Sequence, residues 1–186
     1  MSRIKVISQE EATGRLKEIY DELIVKRGKL AEVHIIQSLR PESIVKHIDL
    51  YLEIMFSKSE LSRAEREMMA VIVSKTNGCN YCQKHHAEAL NHYWKDVDKT
   101  ESFRQSYHNV NLKEKEISLC QYAEQLTKNP DSAEKDDVTV QLKNAGFSDS
   151  AILDATLVVA YFNFVNRIVL ALGVELENDS GTGYKY

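Results

Sequence analysis

Cys79 and Cys82 form a C-x-x-C pair, His86 follows Cys82 by four residues, and Glu67 precedes Cys79 by twelve. All four fall within EMMAVIVSKTNGCNYCQKHH, residues 67–86. A dithiol with a base and a carboxylate in reach is equipped for peroxide or disulfide chemistry. The thiolate is the nucleophile, so one cysteine must lose its proton near neutral pH. A histidine can take that proton and return it. Attack on a peroxide O–O bond leaves a sulfenic acid, and a second cysteine three residues away can condense with it before overoxidation. Two other readings stay open. A zinc site would need a ligand beyond Cys79, Cys82 and His86, from Glu67 or a distant histidine, and the usual second C-x-x-C is absent. The pair could also be inert.

Positioning these groups falls to helices. If the cysteines open a helix, steps of about 100° put Cys79, Cys82 and His86 on one stripe. His85 lies about a sixth of a turn from Cys82, so His86 at i+4 is the better placed base. The first turn of a helix offers free N–H groups and a positive dipole end, and both favour thiolate. Ser62-Arg63-Ala64-Glu65 is a capping box that predicts a helix through Thr76, stopped by Asn77-Gly78. Glu67 on that helix is placed to orient His86 or complete a proton relay, and Ser74 to donate a hydrogen bond nearby.

The rest of the chain reads the same way. Ser8 and Glu11 form a second capping box, which predicts a helix carrying Leu16, Ile19, Tyr20 and Leu23 and closing at Gly28. A short helix is expected within 30–39. Pro41 suits the first turn of the next, with Ile44, Val45, Ile48, Leu52 and Met55 on one face. The helix of the cysteines runs to about Trp94. Residues 96–111 are polar and poorly periodic and are expected to be a loop. Helices follow at about 113–128, from Asp131 or Ser132 to Gly146, and from the cap Ser148 to Leu172, closed by Gly173. The end from about 175 to 186 is expected to fray. No alternating apolar run bounded by hairpin turns appears, so the fold class is all-α, in one domain over 1–186 with the motif at 61–95.

Composition narrows the function. Net charge is −4 and no basic stripe interleaves with aromatics, which speaks against nucleic acid. The apolar stretch 151–172 holds Asp154, Asn163, Asn166 and Arg167 and reads as a core helix, not a membrane span. MSRIKVISQEEATGR at the N-terminus has no apolar h-region. With three cysteines and no secretory signal, a reducing, cytoplasmic setting is expected.

Glu67, Ser74, Cys79, Cys82 and His86 together give E-x6-S-x4-C-x2-C-x3-H. This spacing resembles the core motif of the AhpD-like alkylhydroperoxidases of the carboxymuconolactone decarboxylase superfamily. Leu61-Ser62 before the motif, and Phe162-Asn163-Phe164-Val165-Asn166-Arg167 through Leu172-Gly173-Val174, resemble its peroxidase-related branch. The likeness spans most of residues 8–175. It implies an all-helical bundle in homo-oligomers, trimers or hexamers. It implies a peroxidase that uses hydrogen peroxide or small organic hydroperoxides and an external dithiol or thioredoxin-like reductant, with no haem, flavin or metal. In that family the second cysteine, here Cys82, attacks and the first, here Cys79, resolves, while Glu67 and His86 relay the proton. One departure stands out: the family places a histidine just before the second cysteine, and here it is Tyr81. Tyrosine is a poor base at neutral pH, though its hydroxyl can donate. The superfamily's decarboxylases lack the cysteine pair, which speaks against decarboxylation.

The function expected is therefore a thiol-dependent peroxidase. A thiol–disulfide oxidoreductase or redox sensor acting on a protein, and a non-catalytic metal-binding or structural oligomer, are the alternatives. Cys120, mid-helix among Ile117, Leu119 and Tyr122, reads as a buried inert thiol. Asn163, Asn166 and Arg167 read as structural polar groups or as a polar wall of the pocket. His85, His92 and His108 are expected at the surface, and Tyr161, Phe162, Phe164 and Val165 in core or subunit contact.

Overall fold

The computed structural model describes residues 2–131 and 137–177, and among these there is no strand. The helices are α1 (Gly14–Arg27), α2 (Glu32–Ile35), α3 (Pro41–Phe56), α4 (Arg63–Thr76), α5 (Asn80–Trp94), α6 (Val97–Gln105), α7 (Glu114–Lys128), α8 (Val140–Asn144) and α9 (Asp149–Leu172).

Helix α4 is the hub. Every residue from Arg66 to Ser74 is buried, as expected of a helix covered on all sides. α5, α7 and α9 pack around it, and α3 and α6 also touch it. Its start is the predicted capping box: Ser62 Oγ accepts from the Glu65 N–H at 3.2 Å, and the Glu65 carboxylate accepts from the Ser62 N–H at 2.7 Å. Its end is a Schellman turn. The Cys79 N–H reaches the Ser74 carbonyl at 2.8 Å and the Gly78 N–H the Lys75 carbonyl at 3.0 Å. Gly78 sits at φ +69°, where a Cβ would add roughly 1–2 kcal/mol. The chain reverses in this turn and enters α5 at once, so α4 and α5 lie side by side with the cysteines at the join. A smaller apolar cluster, with Leu16, Ile19, Tyr20, Leu23 and Ile44, ties α1 to α3.

Three expectations are corrected. Residues 96–111 are not a loop: they form α6 and a 3₁₀ turn at Tyr107–Asn109. Asp96 caps α6 by accepting from the Lys99 N–H at 2.9 Å, and fully buried Phe103 packs edge-on to Trp94, ring centres 5.2 Å apart. One deep anchor holds this helix, too few apolar residues to show a period. The Ser8–Glu11 box closes, with bonds of 3.2 and 3.3 Å, but caps a turn; the chain runs extended at Thr13 and α1 begins at Gly14. The helix expected to open at Asp131 or Ser132 begins at Val140, with Asp137–Thr139 non-helical before it; residues 132–136 lie outside the described residues. Of the expected frayed end, 178–186 also lie outside them, while Glu177 is held firmly, as described below.

Helix α9 is capped by Ser148, whose Oγ accepts from the Ala151 N–H at 3.2 Å, and ends at Gly173, φ +69°. By length and composition it could cross a membrane. Here one face enters the core through Ala155, Val158, Phe162 and Val169, while Leu153, Leu157, Phe164 and Leu170 stay exposed.

Candidate active site

Cys79 is the residue before α5 and Cys82 lies in its first turn. Cys79 is wholly buried and Cys82 is 2% exposed. They share one ionisable unit. The Cys79 thiol is lowered, first by the Cys82 thiol beside it, against burial, and then by the Cys82 backbone N–H. The Cys82 thiol is pushed well up by Cys79, by burial and by the charge Cys79 carries, with the Asn166 amide opposing. Within the dithiol the pair favours negative charge on Cys79 over Cys82. Cys82, not Cys79, lines a cavity of about 90 Å³, together with Tyr81, His85, His86, Tyr161 and Phe162.

His86 is oriented by a buried chain of charge. Its Nδ1 lies 2.6 Å from one oxygen of Glu67, whose other oxygen accepts from Arg63 at 2.5 Å. Glu67 is fully buried, and a buried carboxylate persists when both oxygens are paired. Arg63 is held in turn: its other nitrogen donates to the Met55 carbonyl, and its guanidinium lies 3.6 Å from the Phe56 ring centre. Because ionised Glu67 only accepts, the neutral imidazole carries its proton on Nδ1 and presents a bare Nε2, the basic nitrogen. Phe162 packs against the ring at 4.4 Å. Arg63 was not singled out in the sequence, although Arg63 and Glu67 stand at i, i+4 on one helix.

The polar residues of α9 do different work from a pocket wall. Asn166 donates to Ser74 Oγ at 3.2 Å, and Asn77 donates to Asn163 and Asn166 at 3.1 and 3.0 Å. Arg167 is exposed and donates to the side chain and carbonyl of Asn163, both at 2.8 Å. The network pins α9 to the turn that carries the cysteines. Asn163 and Arg167 do not line the cavity; Tyr161, Phe162 and Val165 do, because the helical step turns the asparagines toward α4. Ser74 thus supports the turn and not His86.

Tyr81 and His85 converge on Glu177. The Tyr81 hydroxyl donates to it at 2.9 Å and His85 Nε2 lies 2.7 Å from its other oxygen. Burial would raise this carboxyl, but His85 and the N–H of Glu32, 3.1 Å away, bring it down to about 2. His85 is therefore in the cavity, not at the surface, while His92 and His108 are exposed as expected. An offset of a sixth of a turn still leaves His85 facing the cavity, which α5 lines with Tyr81, Cys82, His85, His86 and Ala89. Glu177 lies too far along the chain for any spacing rule to pair it. Cys120 is buried in α7 with its thiol pushed up by burial, then by Glu116 and Glu124. Among the described residues no three of His, Cys, Asp and Glu are grouped to hold a metal ion.

Residues 44–93, from α3 to the end of α5, match the carboxymuconolactone decarboxylase family. A peroxidase-related protein with an alkylhydroperoxidase AhpD core, from Ralstonia eutropha, superposes with a TM-score of 0.85 at 21% identity, covering 97% of this chain and 94% of that one. The chain therefore carries a segment that matches the carboxymuconolactone decarboxylase family, set in an AhpD-like fold. A peroxidase-related protein from Silicibacter sp. gives a TM-score of 0.82 at 24% identity over the whole of both chains. The debrominase Bmp8, bound to 2,3,4-tribromopyrrole, gives 0.80 at 17%, covering 97% and 96%. At these identities the structures share the fold. No curated protein matches the sequence.

Two further histidines of the cavity make a prediction about acid. His47 is 5% exposed and His34 has its Nδ1 shut off from solvent; burial lowers them to about 4 and about 3. Both folded values lie below the unfolded 6.5, so their contribution to stability is complete above pH 6.5 and is lost as pH falls toward 4 and 3. Each costs about 1.4 kcal/mol per pH unit over its window. Urea titrations should lose about 2–3 kcal/mol between pH 6.5 and 5, before most carboxylates titrate. A flat profile there would show that the two rings take up protons in the folded state.

Proposed function

We propose that this protein reduces hydrogen peroxide or small organic hydroperoxides through a Cys79–Cys82 dithiol cycle. The observation that carries this reading is that Cys82 alone of the pair opens on the cavity, beside a histidine whose base nitrogen is set by buried Glu67. Ionised Cys82 attacks the nearer peroxide oxygen. An S–O bond forms, the O–O bond breaks, and the electron pair leaves on the far oxygen, which takes a proton to become an alcohol or water. Cys79 then displaces the hydroxide of the Cys82 sulfenic acid as water, closing a disulfide. An external thiol, supplying two electrons and two protons, restores the dithiol. The cavity favours a small dithiol over a protein partner, since both sulfurs are buried. The setting is a reducing one, the cytoplasm. No metal or organic cofactor takes part in this cycle.

The test is turnover. Purified protein with a dithiol such as dihydrolipoamide should consume tert-butyl hydroperoxide catalytically; a rate no higher than that of the dithiol alone sinks the proposal. The aromatic lining favours a second substrate class, a flat halogenated ring, which the same dithiol would reduce to C–H with release of halide. Tribromopyrrole in place of peroxide separates the two. We also propose a homo-oligomer, trimer or hexamer, built on the exposed apolar face of α9. Light scattering should give a mass well above 21.3 kDa at micromolar concentration, and Leu157→Glu should lower it. A monomer mass for the unmodified chain would refute that assembly.

A further inference from the structure

Gln37 sets a proton on the far side of the cavity. Its Nε2 donates to the Val33 carbonyl at 2.7 Å, which fixes the amide orientation because a carbonyl only accepts. The same nitrogen lies 2.7 Å from His47 Nδ1, so that ring nitrogen must be the bare one. Buried His47 is neutral, so its proton is on Nε2, which donates to the Tyr161 hydroxyl at 2.7 Å. The Tyr161 oxygen is thus already an acceptor, and its own proton must point elsewhere. Among the described residues nothing accepts it. Tyr161 is 5% exposed and lines the same cavity as Cys82.

We propose that Tyr161 is a further catalytic residue, whose hydroxyl hydrogen-bonds the departing oxygen when Cys82 attacks a hydroperoxide. This rests on the dithiol reading above. As the Cys82 S–O bond forms and the O–O bond breaks, negative charge collects on the leaving oxygen. Tyr161 donates to it without giving up its proton; the proton that completes the alcohol is the one His86 removed from Cys82. Burial first, and then Tyr51 and Cys82 nearby, raise the Tyr161 phenol well above its ordinary value, which keeps it a donor throughout the reaction. Gln37 and His47 are positioning residues: they prevent Tyr161 from spending its proton on the imidazole. A buried donor aimed at developing charge is commonly worth about 10²–10³ in rate.

Tyr161→Phe removes only the hydroxyl. The second-order rate of disulfide formation with tert-butyl hydroperoxide should fall about 100-fold. Alkylation of Cys82 by iodoacetamide, whose iodide leaves without a proton donor, should stay within about twofold. The loss should shrink to a few-fold with peracetic acid, whose carboxylate leaves readily. Gln37→Leu frees His47 to present a bare Nε2 and should give the same peroxide-selective pattern, weaker, with Tyr161 in place. Equal losses in peroxide reaction and alkylation, or no loss, overturn the assignment while the dithiol reading stands. If the unmodified protein does not react with peroxide at all, both fall.

Discussion

Cys82→Ser should abolish peroxide consumption, whereas Cys79→Ser should react once and stop with a sulfenic acid on Cys82. The two sulfurs differ in access and in charge, and the differences oppose each other. Negative charge is favoured on Cys79, while the cavity opens on Cys82. Access decides, because a thiolate that cannot touch the peroxide does not react. The charge can move: the Cys82 proton lies next to the Cys79 sulfur, and transferring it, or passing it to His86, puts the thiolate on the cavity side. Removing Cys79 also removes the largest influence raising Cys82, so Cys79→Ser keeps its first reaction. The sulfenic acid then lacks its resolving partner and persists. A dimedone adduct on Cys82 in Cys79→Ser, and none on Cys79 in Cys82→Ser, is the expected result. The reverse labelling would make Cys79 the nucleophile.

His86→Ala should slow the peroxide reaction about 10²–10⁴-fold at pH 7 and far less at pH 9. At pH 7 a thiol with a value near 8.5 or above is mostly protonated, so removing the base removes the route to thiolate; at pH 9 hydroxide supplies it. Glu67→Gln should act in the same direction. It leaves Arg63 without its buried anion and lets His86 carry its proton on Nε2, the wrong nitrogen for a base. His85→Ala should leave the pH profile of Cys82 in place, because its Nε2 is engaged by Glu177. Thiol alkylation against pH checks all three. A profile that shifts for His85→Ala and not for His86→Ala would reverse the two histidines.

The grouping of Cys79, Cys82, His86 and Glu67 was legible because its parts are local. The spacing from Cys79 to Cys82 to His86 lies on one helix, and Asn77-Gly78 announces the turn that brings Glu67 alongside. The caps at Ser62 and Ser148 placed α4 and α9 for the same reason. Tyr161, His47, Gln37 and Glu177 were not legible as site residues. Tyr161 and His47 line the cavity from separate elements, Gln37 and Glu177 hold residues that line it, and no period in one segment reports what faces it from another. α6 was missed because one buried Phe103 holds it, and of the two readings of Asn163 the structural one holds, because its polarity serves a helix junction. Tyr81 in place of the relay histidine looked like a loss. The structure shows its hydroxyl engaged with Glu177, so the position bears on anchoring that carboxylate.

The most direct measurement is peptide mapping after one equivalent of tert-butyl hydroperoxide. The dithiol account predicts a Cys79–Cys82 linkage, a loss of two hydrogens, and Cys120 recovered as free thiol. A bond to Cys120, or oxidation of Cys82 to sulfinic or sulfonic acid with no disulfide formed, would contradict it.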